Sequence, residues 1–438
     1  MEVWALVMFA VAMAALMLGY PVAFTLGAVA MLFGSIWLGF DFFALLPLRI
    51  WGIMTNFNLL AVPLFVFMGV VLEKSGLAEE LLETMGRLCG RLRGGLALSV
   101  VIVGALLAAT TGVVGATVVT MGIIALPAML KHNYQPELAA GTIAASGTLG
   151  QIIPPSIILI LLGDVIGVPV GRLFIGAVTP GALLIGLFLL YILYTGWRHP
   201  ERAPIIPAGD TPLTIRLLLK SLLPPLLLVI AVLGSIFFGI ASPTESAAVG
   251  SLGALLLAAL HRRLSLARLQ DAMRQTTRLT SMVFLILIGA TTFGLVFRGM
   301  GGDLLVHQIL TTLPGGEWAF LLFSMVVIFV LGFFLDFLEI SFIVVPILAP
   351  IAAHLGIDLL WFAILIAMNL QTSFLTPPFG FSLFYLKAVA PPGVEIQHIY
   401  RGIVPFVALQ VLTIAMLILF PRLVTWLPDL MDRLQGIH

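Results

Sequence analysis

Apolar residues dominate this chain in long blocks, near 3–19, 22–40, 58–73, 178–196, 222–240, 244–260, 279–297 and 403–420. Each block approaches the roughly 20 residues that a helix needs to cross a bilayer. Polar positions gather between the blocks. The stretch 264–278 (LSLARLQDAMRQTTR) is amphipathic, basic and too polar to span, so it is expected to lie along the cytoplasmic interface. The stretch 77–92 reads similarly. Only 199–213 (HPERAPIIPAGDTPL) is clearly loop-like, and it divides the chain into 1–198, a cytoplasmic linker 199–221, and 222–438. The end, 421–438, is short and mixed and suggests no role.

Two other apolar segments are interrupted by proline pairs, Pro154-Pro155 and Pro377-Pro378, which stand 223 residues apart. At that offset Pro127 falls on Pro350, Ala140 on Ala363, Ile143 on Ile366 and Ala144 on Ala367, without a gap. Proline cannot donate the helical hydrogen bond, and its ring clashes with the preceding turn. Broken backbone at membrane depth survives only where it is buried in protein or lines a cavity. Two copies of one unit, each with a helix broken in mid-bilayer, point to a transporter. Two ordinary Pro-kinked helices are the plainer alternative, but the match also covers the hairpin before each break.

Composition agrees. The chain is 61% hydrophobic and only 9% charged, against about 25% charged in a soluble domain. The expected fold class is an all-α polytopic membrane protein. The first apolar block lacks a basic leader and a small-residue cleavage site, and is read as a retained helix. The net charge of +1 carries no nucleic-acid signal, and the single cysteine, Cys89, excludes an internal disulfide. The seven histidines are scattered, and no GxSxG, HExxH or P-loop occurs. A membrane-embedded enzyme is disfavoured because no histidine accompanies the polar breaks.

Basic residues set the orientation. Positive loops stay in the cytoplasm. If 94–130 and 318–350 are re-entrant hairpins, only five of the 21 basic residues lie outside: Arg49, Arg172, Arg298, Arg422 and Arg433. Both termini then lie outside, and the two copies are inverted repeats. Each holds a hairpin followed by a broken helix: 94–130 with 137–165, and 318–350 with 360–386.

Chemistry concentrates at the tips and breaks. The first tip reads Ala109-Thr110-Thr111-Gly112-Val113-Val114, and the first break Ser146-Gly147-Thr148-Leu149-Gly150-Gln151-Ile152-Ile153-Pro154-Pro155-Ser156. Unwound carbonyls and hydroxyls suit an alkali cation, which makes Thr110, Thr111, Gly112 and Gly150 candidates. The same small residues also serve close helix packing. The second tip, Gly332 to Ile340, carries Asp336 and Glu339. Carboxylates in an apolar segment are functional candidates by default, and capping of exposed N–H groups is their structural alternative. Asn369, Gln371, Thr372, Ser373 and Thr376 before the second break suit a second cation site and substrate contact. Half-helix N-termini favour an organic anion, for which Thr110, Gly112, Asn369, Gln371 and Thr372 are the substrate candidates. Arg298 to Asp303 reads mainly as a turn with a local ion pair.

With these residues assembled, the chain resembles the large membrane subunit of TRAP (tripartite ATP-independent periplasmic) transporters over nearly its whole length. Gly147-Thr148-Leu149-Gly150 with Ile152-Ile153-Pro154-Pro155-Ser156, and Asn369-Leu370 with Leu375-Thr376-Pro377-Pro378, carry the resemblance. Leu59 to Phe65 and Gly332 to Asp336 add weaker support, and 369–384 resembles the mannitol or chloroaromatic-acid subgroup. The resemblance implies a sodium-driven elevator in a bacterial inner membrane, with a transport domain sliding on a scaffold. It implies a small four-helix membrane subunit and a periplasmic substrate-binding protein as partners. It implies two sodium sites, one at Thr111, Val114, Gly150, Ile153 and Pro155, the other at Gly332, Asp336, Ser373 and Thr376. Where many members carry Ser-Gly-Ser-Ser, this chain has Thr111-Gly112-Val113-Val114, so two hydroxyls are lost. A self-sufficient sodium- or proton-coupled organic anion transporter is the alternative.

Overall fold

The computed structural model describes every residue except 112–113, 206–214, 313, 378–379, 435 and 437–438; for 78, 110–111 and 215–220 it describes the backbone alone. Among the described residues the chain is helical, with no strand. Six helices are long and apolar enough to cross a membrane, or seven if the pair Phe40–Met54 and Asn58–Lys74, bent by 56°, counts as one span. The polar residues between blocks act as caps. Ser242 and Glu245 form a reciprocal capping box ahead of Pro243–Leu260, with Glu245 Oε2 accepting from the Ser242 N–H at 2.7 Å. Asp358 starts Leu359–Leu375 by accepting the Trp361 N–H at 2.9 Å.

The helices sort into two packing groups. Glu2–Met17, Val22–Trp37, Ala61–Lys74, Ile215–Phe237, Pro243–Leu260 and Leu266–Gly299 pack chiefly on one another. The second group holds both hairpins, both broken helices, and the long helices Val170–Arg198 and Ile396–Leu419. Its tightest crossing uses two glycines. A Cβ on Gly141 would stand 2.1 Å from the Gly402 carbonyl oxygen, and one on Gly402 would stand 2.0 Å from that of Glu137. Only hydrogen at both positions lets these backbones touch.

Three expectations change. The stretch 264–278 is not a separate interfacial helix but the first part of Leu266–Gly299, 34 residues long. Ser265 caps it, no proline interrupts it, and its Leu, Arg, Gln, Ala and Met residues favour continuation. Lys74 pairs with Asp271 and ties this extension to Ala61–Lys74. The stretch 77–92 forms Leu77–Cys89, whose apolar face (Leu81, Leu82, Met85) is buried against Gly95–Thr111 and Ile215–Phe237. The end of the chain, read without a role, forms Arg422–Leu434. It docks on Val170–Arg198 through Arg172–Asp432 at 3.0 Å and Trp426 Nε1–H to Thr179 Oγ1 at 3.0 Å. The linker is stitched down at its start: Ala203 and Arg202 carbonyls accept from Gly94 and Gln135, each at 3.0 Å. Residues 206–214 lie outside the described residues, and the linker's last part, read as 215–221, is already the start of Ile215–Phe237.

Candidate functional site

Both proline pairs break their helices. The first segment runs as Pro136–Thr148, a tight turn Leu149–Gln151, then Ile157–Ile166. The second runs as Leu359–Leu375, then Phe381–Val389, with Thr376 extended between them. A break frees carbonyls that must find other donors. Ser156 Oγ donates to the Gln151 carbonyl at 2.8 Å, and Ser382 Oγ donates to that of Phe374 at 2.9 Å. Gln151 and Phe374 are 223 residues apart, so equivalent carbonyls of the two copies are closed by the same chemistry. Thr376 Oγ1 donates to the Thr372 carbonyl at 2.7 Å, and Ser373 Oγ to that of Leu370 at 2.8 Å.

Each hairpin packs on the broken helix that follows it in the chain. In the first, arms Gly95–Thr111 and Val114–Lys131 pack on each other, on Pro136–Thr148 and on the tight turn. Val114, Gly150 and Pro155 are buried and Ile153 is half-buried. The side chains of Thr110 and Thr111, and all of Gly112, lie outside the described residues. Gly150 has room for a Cβ, at 3.5 Å from Ala108 Cα, so close approach does not require glycine there. It does at Gly147, where a Cβ would lie 2.2 Å from Val118 Cγ2.

The second tip is built more tightly. A Cβ on Gly332 would stand 2.2 Å from Ser373 Oγ and 2.7 Å from Ser373 Cβ, so two residues expected at one cation site touch. Phe337 and Phe374 rings pack at 6.2 Å, fixing the tip against the break. Asp336 and Glu339 cap the return arm reciprocally. Asp336 Oδ1 accepts the Phe337 N–H at 2.6 Å, and Glu339 Oε2 accepts the Asp336 N–H at 2.8 Å. Capping is therefore realised for both. The Asp336 side chain stays half-buried.

The polar run before the second break divides. Asn369 Nδ2–H donates to the Met325 carbonyl at 2.6 Å and ties the broken helix to the hairpin's first arm. Thr372 Oγ1 donates to its own helix, at the Met368 carbonyl. Gln371 is 0% exposed, and neither amide atom has a protein partner. Gln151 at the first break is in the same condition.

Tyr385 was not singled out by sequence. It sits on Phe381–Val389, which packs on the second arm of hairpin one. Its ring lies where a Gly115 Cβ would be 3.1 Å away, and it is within electrostatic reach of Asp336. It stays 41% exposed. A lone aromatic in an apolar helix carries no signal beyond its hydroxyl.

A cleft of about 770 Å³ lies between the two helix groups. Leu46–Met54, Leu266–Gly299 and Gly302–Thr311 form one wall; the end of Ile157–Ile166 and the return arm of hairpin two form the other. Asn56 Nδ2–H crosses it to Asp164 Oδ1 at 2.6 Å. None of the cation or substrate candidates read from the sequence lines it. Arg298 does, and the ion pair expected with Asp303 is not formed. Gly301, at φ +80°, turns the chain between them, and Arg298 Nε–H instead reaches the Gly294 carbonyl at 3.2 Å. No cluster of three or more metal-ligating His, Cys, Asp or Glu occurs among the described residues.

Relatives are similar over most of the chain. The chain is 31% identical over 384 residues to the C4-dicarboxylate TRAP transporter large permease protein DctM of Pseudomonas aeruginosa, covering 87% of each chain. It is 30% identical to the sialic acid TRAP transporter large permease protein SiaM of Vibrio cholerae, covering 94% of this chain and 95% of that one. The ectoine TRAP transporter large permease protein TeaC of Halomonas elongata is 30% identical, with 86% and 87% covered. The crystal structure of the Alcanivorax borkumensis YdaH transporter, described as having an unusual topology, shares the fold at TM-score 0.59 and 17% identity, covering 86% of this chain and 87% of that one. Residues 7–423 match the family described as tripartite ATP-independent periplasmic transporter, DctM component, and the chain is a multi-span membrane protein belonging to that family.

Proposed function

We propose that this chain imports an organic acid across a bacterial inner membrane, driven by sodium and supplied by a periplasmic binding protein. A small four-helix membrane subunit completes the assembly, and both termini face the periplasm. The observation that carries this reading is the repeated unit: a hairpin packed on the broken helix that follows it, twice, with the breaks 223 residues apart. Unwound segments of this kind offer peptide oxygens to a cation without a buried charge to neutralise. Gly332, Asp336, Ser373 and Thr376 would hold one sodium ion; Thr111, Val114, Gly150, Ile153 and Pro155 would hold the other. The second helix group is the moving body, and the first is the scaffold against which it slides. The relatives' names, covering a dicarboxylate, sialic acid and ectoine, support an organic acid in the broad sense.

Reconstitution in liposomes with both partners tests this reading. Uptake is expected only with an inward sodium gradient and the binding protein present. Uptake by the isolated chain from free substrate would favour a self-sufficient transporter, and uptake indifferent to sodium would remove the coupling.

A further inference from the structure

We infer that the cleft between the two helix groups binds a carboxylate with a ring-sized apolar body, held at its mouth by Arg49 and Arg298. The inference rests on the organic-acid reading above and deepens it. Cations are scarce on the side where these arginines lie, which holds five of the 21 basic residues if the charge distribution sets the orientation. Of those five, Arg172 is taken by Asp432 at 3.0 Å. Arg49 and Arg298 form no ion pair among the described residues, and both line the cleft. A guanidinium fork matches a carboxylate in two parallel hydrogen bonds. Of the cleft's two acids, Asp164 is engaged by Asn56, and Asp303 begins the next helix beyond the Gly301 turn.

Two long stretches of the wall are mainly apolar. Along Leu266–Gly299 the lining residues run from Arg298 through Phe297, Phe293 and Ala290 to Leu287, about 16 Å at 1.5 Å per residue. Thr291 is the one hydroxyl on that face. The facing arm of hairpin two, from Pro350 inward to Phe342, contributes no charge at all. The volume suits a small organic ligand. A second carboxylate carried inward would lose its water and meet no further arginine or lysine, which disfavours short dicarboxylates. An aromatic or cyclic body would bury its faces against Phe293, Phe297 and Phe342.

The test is direct binding to the purified full-length chain, with benzoate and succinate as probes. Benzoate is expected to bind at least about tenfold more tightly, since tenfold needs only about 1.4 kcal/mol. Arg49→Gln with Arg298→Gln should weaken benzoate by about tenfold or more at an unchanged melting temperature, as loss of charge-assisted hydrogen bonds requires. Arg172→Gln should bind as wild type. Independently of any arginine variant, benzoate should slow thiol labelling of Leu304→Cys at the mouth. Equal binding of the two acids, wild-type affinity in the double variant, or labelling of Leu304→Cys indifferent to benzoate would each overturn the site. Sodium-driven uptake that keeps its KM in the double variant would remove the cleft and leave the transport reading standing. Benzoate binding without uptake of any acid by the full assembly would do the reverse.

Discussion

At the residue scale, the second tip is closely constrained. Gly332 and Ser373 are in contact across two elements that meet only in the folded state. Gly332→Ala must push the tip off the break, at an overpacking cost of about 1–3 kcal/mol. The expected outcome is a rise of about tenfold or more in the sodium concentration for half-maximal uptake, with normal expression. An unchanged sodium dependence would take Gly332 out of the cation site. Gln371 makes the opposite kind of prediction. A buried amide without protein partners costs about 1–3 kcal/mol, so Gln371→Leu is expected to raise the melting temperature while lowering uptake. A variant that transports normally would show that the amide is dispensable. Asp336 and Glu339 cap each other at the start of the return arm, which fixes the backbone of the tip.

At the scale of elements, the breaks were legible because proline removes a donor and adds a clash wherever it stands, so the two pairs announced their backbone without a fold. The hairpins were legible through the same offset. What re-closes the freed carbonyls was not, because a serine five or eight residues downstream gives no sign of folding back. Gly150 drew notice for its place in a polar run, yet it has room for a methyl group; Gly141 and Gly402, single glycines in plain helices, do not. A Gly141→Ala substitution would drive its Cβ onto the Gly402 carbonyl, a backbone atom that cannot rotate away. Its expected outcome is a lower melting temperature and poorer yield, while Gly150→Ala, read in the same assay, stays near wild type. The long helix Leu266–Gly299 was divided in two by reading charge as an ending, when helix propensity carried straight through it.

At the scale of the whole molecule, two helix groups share one cleft whose walls come from positions as far apart as Arg49 and Ile351. No local pattern links such residues, so the cleft was invisible until the chain was folded. Asn56 to Asp164 spans it and joins the bend between Phe40–Met54 and Asn58–Lys74 to the far end of the first broken helix. Asn56→Leu is expected to loosen that junction and to speed hydrogen exchange at the backbone of 157–166 without changing the rest of the chain. Exchange that stays as slow as in the wild type would show that other contacts hold the groups together.

The serine-closed carbonyls at both breaks have a last consequence. A segment whose freed oxygens are already answered from within is a notch and not a hinge: it has little reason to straighten when its surroundings change. Each break therefore keeps its shape whatever packs around it, and a change of arrangement between the two helix groups would leave both notches as they are.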